Sequence, residues 1–320
     1  MTDSLDPRTL VDRLLDRLSD SYVFPERAAT VEELLRGNLR AGRYEGPVDK
    51  GLCERLNEDL FEASRDKHLR LIWHPVVDRD EAPSEEALVA GLLEQFRLEN
   101  QGVRSVERLA GNVASIQLTI IPPAATAGAS IAAAMELIAD TQALILDLRE
   151  TRGGAPDGVA LWCSYLLPEG EVHLNDVVQG ADGPTRQYWT SGYVAGPRYP
   201  ERPVYVLVSS TTFSGGEELA YDLKAFGRAT IVGEVTRGGA HPSAVVSLGE
   251  HVELRLPVAR SVSPITGGNW EAVGVEPDVK TSASDAFDVA YRTILDTLMA
   301  DEEAPTAVRE EARIQSLVET

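Results

Sequence analysis

The chain has 320 residues, an apolar fraction of 43%, and a formal charge of −21 from 30 basic and 51 acidic residues. That length holds one large domain, or a small domain beside a core domain. So negative a surface repels phosphate backbones and anionic headgroups, which excludes sequence-independent binding to nucleic acid, and no apolar run reaches the ~18–20 residues of a membrane span.

The N-terminus, Met1-Thr2-Asp3-Ser4-Leu5-Asp6, is acidic with no apolar stretch behind it, unlike a secretory signal. A chain complete as it stands is therefore expected in the cytoplasm. Cys53 and Cys163 sit in apolar helical patterns, away from any CxxC pair or histidine cluster. They read as reduced packing residues, and neither a metal nor a cofactor is expected.

Asp6-Pro7 predicts a helix start, an acidic N-cap followed by proline at the first helical position. Leu10, Val11, Leu14, Leu15 and Leu18 then share one face. A second stripe runs through Val31, Leu34, Leu35 and Leu39 and stops near Gly42; a third carries Leu52, Leu56, Leu60 and Phe61. Three short amphipathic helices bury their stripes against one another, so residues 1–66 read as a small helical bundle.

Residues 68–73 read as a strand entered from a turn. The stretch 78–101 is polar and acidic, with a helix expected over 85–98. Strands are predicted at 113–119, 143–148, 204–208 and 230–232, with helices at 128–140, 156–167 and 215–226 between them. Such alternation implies parallel pairing and an α/β core, placed at 67–300. Residues 168–203 are rich in Gly, Pro and Asp without a period and read as a long functional loop. Residues 252–256 alternate as a half-exposed strand, 286–299 form a last helix, and the acidic tail 301–320 frays or packs as a short helix.

Two segments carry candidate chemistry. In Val204–Val208 and the residues after it, VYVLVSSTTFSGGEE, a buried strand ends in hydroxyls and a helix opens on two glycines. Ser214 stands at that junction, beside the free amides of a helix start, which suit an oxyanion. Ser214-Gly215-Gly216-Glu217 is also the S-x-x-E capping box, so the same letters describe a plain helix cap. The second segment, LILDLRETRGG, ends a strand in Asp147 and Arg149 and turns on Gly153-Gly154. It reads equally as an oxyanion turn or as a strand–helix connection with an Asp–Arg pair. A serine nucleophile needs a base and a group that orients the base. His68 and His241 are both candidates, and spacing does not choose between them. His241 lies in Arg237-Gly238-Gly239-Ala240-His241-Pro242, expected to be a mobile loop, and Glu271 beside Trp270 is a candidate orienting acid.

Taken in order, Asp66-Lys67-His68-Leu69, DLRETRGG, TTFSGGEELAYDLKAFGRATIVGEVTRGGAHP and NWEAVGVEPD resemble the C-terminal processing (tail-specific) serine peptidases. The resemblance is nearest to the branch that holds the tricorn protease core and the interphotoreceptor retinoid-binding protein modules. Tyr22-Val23-Phe24-Pro25-Glu26 is similar to the helical N-terminal region of the latter. It implies a crotonase/ClpP-like β-β-α spiral core. It also implies Ser214 as nucleophile, His68 as general base, Glu271 as supporting acid, and the amides of Gly215 and of Gly153 or Gly154 as the oxyanion hole. The sequence departs from the pattern in three places. The loop Thr236-Arg237-Gly238-Gly239-Ala240 lacks the lysine of the Ser–Lys branch, which favours Ser–His–Glu; Lys67 stands where tricorn-type sites have serine; Thr151 stands where the family has asparagine. Only residues 69–112 separate His68 from Val113, and 112 − 68 = 44 is too few for a peptide-binding PDZ domain of roughly 80–100 residues. The expected substrate is a peptide or a small apolar carbonyl compound. A cyclase or acyl hydrolase of small-molecule biosynthesis, and a non-catalytic binder of apolar ligands, are the alternatives; homo-oligomerisation is left open.

Overall fold

The computed structural model describes residues 5–75, 85–180, 183–249 and 251–318. Helices α1 (Pro7–Ser21), α2 (Pro25–Arg40) and α3 (Lys50–Ser64) form where the apolar stripes predict them. The Asp6 carboxylate caps α1 through the Arg8 and Thr9 amides, and Asp49 caps α3 through the Leu52 amide. Their shared core does not close on itself. It is completed by an antiparallel sheet of β1 (Arg70–Trp73), β10 (Val252–Pro257) and β9 (Ser243–Gly249), which adds Leu71, Leu248, Val252, Leu254 and Leu256. The chain thus returns from its last third to seal its first.

A six-stranded sheet forms the second unit. Its order is β12 (Val279–Lys280), β8 (Thr230–Gly233), β7 (Val204–Val208), β4 (Ala143–Asp147), β3 (Val113–Leu118) and β2 (Val103–Leu109). All neighbours are parallel except β2 and β3. Successive side chains of β4 serve opposite layers. Leu144 and Leu146 pack with α5 (Ala124–Ile138), α6 (Pro156–Leu166) and α7 (Gly215–Ala225). Ala143 and Ile145 pack with α8 (Ala286–Ala300) and α9 (Thr306–Val318). The acidic tail therefore ends in a docked helix: Val308 and Ala312 are buried, and Glu311 accepts from the Gly111 amide and from Arg108.

Two expectations need correction. The strand after α3 starts at Arg70, so Lys67 and His68 lie in the turn before it. Residues 168–203 are not a structureless loop: β5 (His173–Gln179) pairs with β6 (Thr185–Trp189) and with β11 (Ala259–Val262) in a third sheet. The helix expected over 85–98 is α4 (Glu85–Leu98); residues 78–84 of the acidic stretch lie outside the described residues. No helix among the described residues is long and apolar enough to cross a membrane.

The buried face of α7 carries two acids one helical turn apart, Glu218 and Asp222. Glu218 accepts from Asn175 Nδ2 at 2.8 Å, whereas Asp222 Oδ2 has no partner. Burial pushes the Glu218 carboxyl up to about 7. Burial, then the neighbouring Glu218 charge, pushes Asp222 well above the usual carboxylate range. Both carboxyls therefore hold protons in the folded chain that the unfolded chain has released. The Glu218 contribution to stability is complete below the ordinary carboxylate pKa and is lost as pH rises through about 7, and that of Asp222 is lost in the same direction. Urea unfolding at about pH 5 and about pH 9 should show the lower stability at the alkaline end. Glu218→Gln, which keeps an acceptor for Asn175, should flatten that difference; a wild-type profile that rises with pH would refute this account.

Candidate active site

Three loops meet at the carboxyl ends of β4, β7 and β8. The hydroxyls that follow β7 stitch its turn to that of β4. Ser209 and Thr211 donate to the Arg149 carbonyl at 2.6 and 3.0 Å, and Thr212 donates to the Leu148 carbonyl at 2.9 Å. Thr151 is fully buried; it donates to the Leu118 carbonyl at 2.8 Å and accepts from the Phe213 amide at 3.1 Å. Asp147 and Arg149 form a two-pronged pair at 2.9 and 2.7 Å, with Arg149 also holding the Ala283 carbonyl, so these two brace the turn.

This bracing sets Ser214 at φ 53°, ψ −120°, a left-handed conformation for a residue with a side chain. Gly153 and Gly154 pack directly against it. A Cβ on Gly153 would lie 3.2 Å from Ser214 Cβ, and a Cβ on Gly215 would lie 2.7 Å from Gly154 N. Only glycines allow two backbones so close. The N–H groups of Gly154 and Gly215 have no hydrogen-bond partner among the described residues. Ser214 thus stands beside two adjacent unpaired amides at a helix start.

Glu217 does take the Ser214 amide, at 2.8 Å, as a capping box requires. The same buried carboxylate also accepts from Thr236 Oγ1 at 2.5 Å, Gly238 N at 2.5 Å and Gly239 N at 2.9 Å. Burial pushes its carboxyl above the usual range, against the pull of those four donors. The 236–241 loop, expected to be mobile, is instead clamped: Gly238, Gly239, Ala240 and His241 are buried, and Trp270 Nε1 holds the Gly239 carbonyl at 2.8 Å.

His68 stacks on Phe213, with ring centroids 4.7 Å apart and planes at 28°. Its amide donates to Asp66 Oδ1 at 2.9 Å. His68 Nδ1 is buried without a hydrogen-bond partner and faces Glu271 Oε2 at 3.8 Å, beyond hydrogen-bond length. No hydrogen bond joins Ser214 and His68 among the described residues; Phe213 is the link between them. His241, the other candidate, turns away toward the bundle. Its Nδ1 meets Asp66 Oδ2 at 2.9 Å and Glu271 Oε2 at 3.4 Å. Asp66, in the sequence one charge within Arg65-Asp66-Lys67, also accepts from the Tyr22 hydroxyl at 3.1 Å. Burial alone would raise its carboxyl, but the hydrogen bond and charge of His241 hold it below the usual range. Lys67 Nζ donates to the Arg237 carbonyl, and Lys224 pairs with Asp278 at 2.8 Å. The other histidines are engaged elsewhere: His173 with Asp176, His74 with Glu253, and His251 against Trp73. Asp66, His241 and Glu271 offer three ligand atoms within 4.8 Å of one another, a spacing open to a metal. The hydrogen bonds each already makes account for them without one.

The profile of peptidase family S41 matches residues 112–281, and that of the N-terminal domain of S41 peptidases in eukaryotic IRBP matches residues 6–104. A carboxy-terminal-processing protease of Bartonella bacilliformis is 28% identical over 141 residues, which cover 42% of this chain and 30% of that relative. The chain therefore matches only about a quarter to a third of the length of the curated relatives, from 26% to 36%. Among solved structures, a photosystem II D1 C-terminal processing protease superposes with TM-score 0.53 at 17% identity, over 87% of this chain and 94% of that one. The tricorn protease superposes with TM-score 0.53 at 14% identity, over 88% of this chain and 35% of that one. These likenesses show the fold: a mixed α/β core behind a helical N-terminal region.

Gly239 tests the clamp. A Cβ there would lie 2.2 Å from Phe213 Cε2 and 2.6 Å from His68 Cε1. Gly239→Ala should displace the stacked rings while costing only ~1–3 kcal/mol of stability, read by urea unfolding. If His68 serves as a general base, turnover should fall by ~10²-fold or more, because a catalytic group displaced by about 1 Å loses that much. Full activity in a folded Gly239→Ala protein would show that the ring stack positions nothing.

Proposed function

Because the chain belongs to peptidase family S41, we propose that it is a serine hydrolase that cleaves an amide or ester bond through an acyl-enzyme. Ser214 Oγ attacks the substrate carbonyl carbon while His68 takes the hydroxyl proton through Nε2. Glu271, 3.8 Å from Nδ1, closes on the imidazolium and orients it. The oxyanion accepts from the Gly215 amide and from that of Gly153 or Gly154. Collapse expels the leaving amine or alcohol with the proton from His68. Water, deprotonated by His68, then attacks the acyl carbon and frees Ser214 and an acid. Catalytic hydrogen bonds are often long without substrate and tighten in the complex, so the proton transfer does not require a Ser214–His68 hydrogen bond in the free chain.

The observation that carries this reading is the left-handed Ser214 beside the unpaired Gly154 and Gly215 amides. A serine used only as a helix cap has no need of that conformation. The ββα succession β2–β3–α5 supports a crotonase-like spiral. Between β1 and β3 the described residues hold one α-helix, one strand and two short 3-10 turns, which supports a chain without a PDZ domain at that place. The proposed substrate is a peptide or a small apolar carbonyl compound.

A fluorophosphonate probe should label the protein on Ser214, mapped by peptide mass, and Ser214→Ala should remain unlabelled. Folded protein that resists the probe would favour a non-catalytic binding module. Lys67→Met against His68→Gln separates two mechanisms, since Lys67 Nζ is held by the Arg237 carbonyl. The lysine variant should keep near-normal rates and the histidine variant lose ~10²–10⁴-fold. The reverse order would make this a Ser–Lys enzyme.

A further inference from the structure

A cleft of about 270 Å³ opens at the seam between the helical bundle and the core. Arg27 from α2, Arg65 from the end of α3, and Arg260 from β11 line it, together with His241 and Glu271. None of the three arginines lies within 4.0 Å of a carboxylate among the described residues, in a chain with 51 acids to 30 bases. A larger cleft of about 500 Å³ gives the contrast: there Arg13 and Arg17 share the walls with Asp16 and Asp20, and the charges cancel. In the seam cleft the only lining acid is committed elsewhere. Glu271 takes the Ala240 amide at 2.5 Å, the Lys67 amide at 3.4 Å and His241 Nδ1 at 3.4 Å.

The three guanidiniums are also pre-positioned. Arg27 lies 4.3 Å over the Phe24 ring and donates one N–H to the Ser64 carbonyl at 3.1 Å, which leaves its other donors free. Arg65 takes the left-handed position that ends α3, at φ 55°, with its guanidinium 5.7 Å from the Phe61 ring. Arg260 Nε is buried and has no hydrogen-bond partner. A buried, charge-bearing donor without an acceptor is costly; the Nε atoms of Arg55 and Arg309 share that state, but only Arg260 of the three lines this cleft.

We propose that this cleft binds a small oxyanion, a carboxylate or phosphate group, with Arg260 as its fork and Arg27 and Arg65 completing the neutralisation. The planar donor pair of a guanidinium matches two oxygens of either group. The anion would supply the acceptor that Arg260 Nε lacks. Its place beside His241 and Glu271 gives the site a second consequence, which rests on the proposed catalytic roles. Glu271 lines the cleft and lies 3.4 Å from His241 and 3.8 Å from His68, so a charge in the cleft acts on the proposed orienting acid.

Titration calorimetry with inorganic phosphate and with acetate, at ionic strength held constant with sodium chloride, tests the binding without reference to turnover. The result expected is saturable binding of at least one of the two, weakened ~10-fold or more in Arg260→Gln. Which anion binds more tightly assigns the group to phosphate or carboxylate. Arg65→Gln, at a largely exposed position, should also weaken binding and serves if Arg260→Gln fails to fold. No saturable binding of either anion, or binding unchanged in the folded variants, would overturn the proposal and leave the Ser214 labelling result untouched.

Discussion

Glu217 is a buried carboxylate with no cation paired to it among the described residues, and the site is assembled around that fact. Four donors reach it from two stretches of chain: the Ser214 amide on one side, and Thr236 Oγ1 with the Gly238 and Gly239 amides on the other. Beyond the β7–β8 pairing a single backbone hydrogen bond, from the Arg237 amide to the Thr212 carbonyl at 3.1 Å, joins these two turns directly, and the carboxylate adds four more donors to that link. Hydrogen bonds to a charged acceptor are each worth more than neutral ones, and a buried acceptor left bare is costly. The turn of Ser214 and the loop of Gly239 therefore move together or not at all. Because Gly239 touches both Phe213 and His68, the geometry of the ring stack is inherited from Glu217.

Close backbone approach is the second constraint, and it explains why the glycines are where they are. Gly154 and Gly215 hold main chains closer than a Cβ would permit: one on Gly154 would lie 2.3 Å from the Ile121 carbonyl oxygen and one on Gly215 2.7 Å from Gly154 N, while one on Gly153 would have only a tight 3.2 Å to Ser214 Cβ. Thr151 fits this crowding: its methyl lies 2.7 Å from where a Gly216 Cβ would be, while its hydroxyl is spent on the Leu118 carbonyl. The residue that departs from the family pattern acts here as a packed brace. The turn proposed to hold an oxyanion needs its amides unpaired, and the side chains around it need their own groups satisfied elsewhere.

Much of this was legible in the sequence, and the failures have physical causes. The caps and stripes of α1 to α3, and the buried runs of β3, β4 and β7, are strong signals because burial is one-sided or complete. Strands β5 and β6 were hidden in residues 168–203. HLNDVVQ and TRQYW carry polar residues on antiparallel strands, one of them an edge, where little alternation is demanded. Glu217 was visible only as the fourth letter of a capping box, since a local motif says nothing of partners twenty residues on. Asp66 looked like one charge in Arg65-Asp66-Lys67. Its burial comes from the bundle and from His241, which stands 175 positions away.

That distance points to what the N-terminal helices do for the core. Tyr22 of the bundle and His241 of the core both hold the Asp66 carboxylate, whose other oxygen takes the His68 amide. Glu271 then reaches His241 at 3.4 Å and His68 at 3.8 Å. Two buried acids and two histidines thus form one chain of contacts that crosses the seam. Buried charges are tolerable only when every oxygen has its donors, so the bundle must be seated before Asp66 is satisfied and before His68 has a fixed backbone. The helical region is accordingly part of the site's support, and β9 and β10, which close the bundle's core from the far end of the chain, are what hold it there.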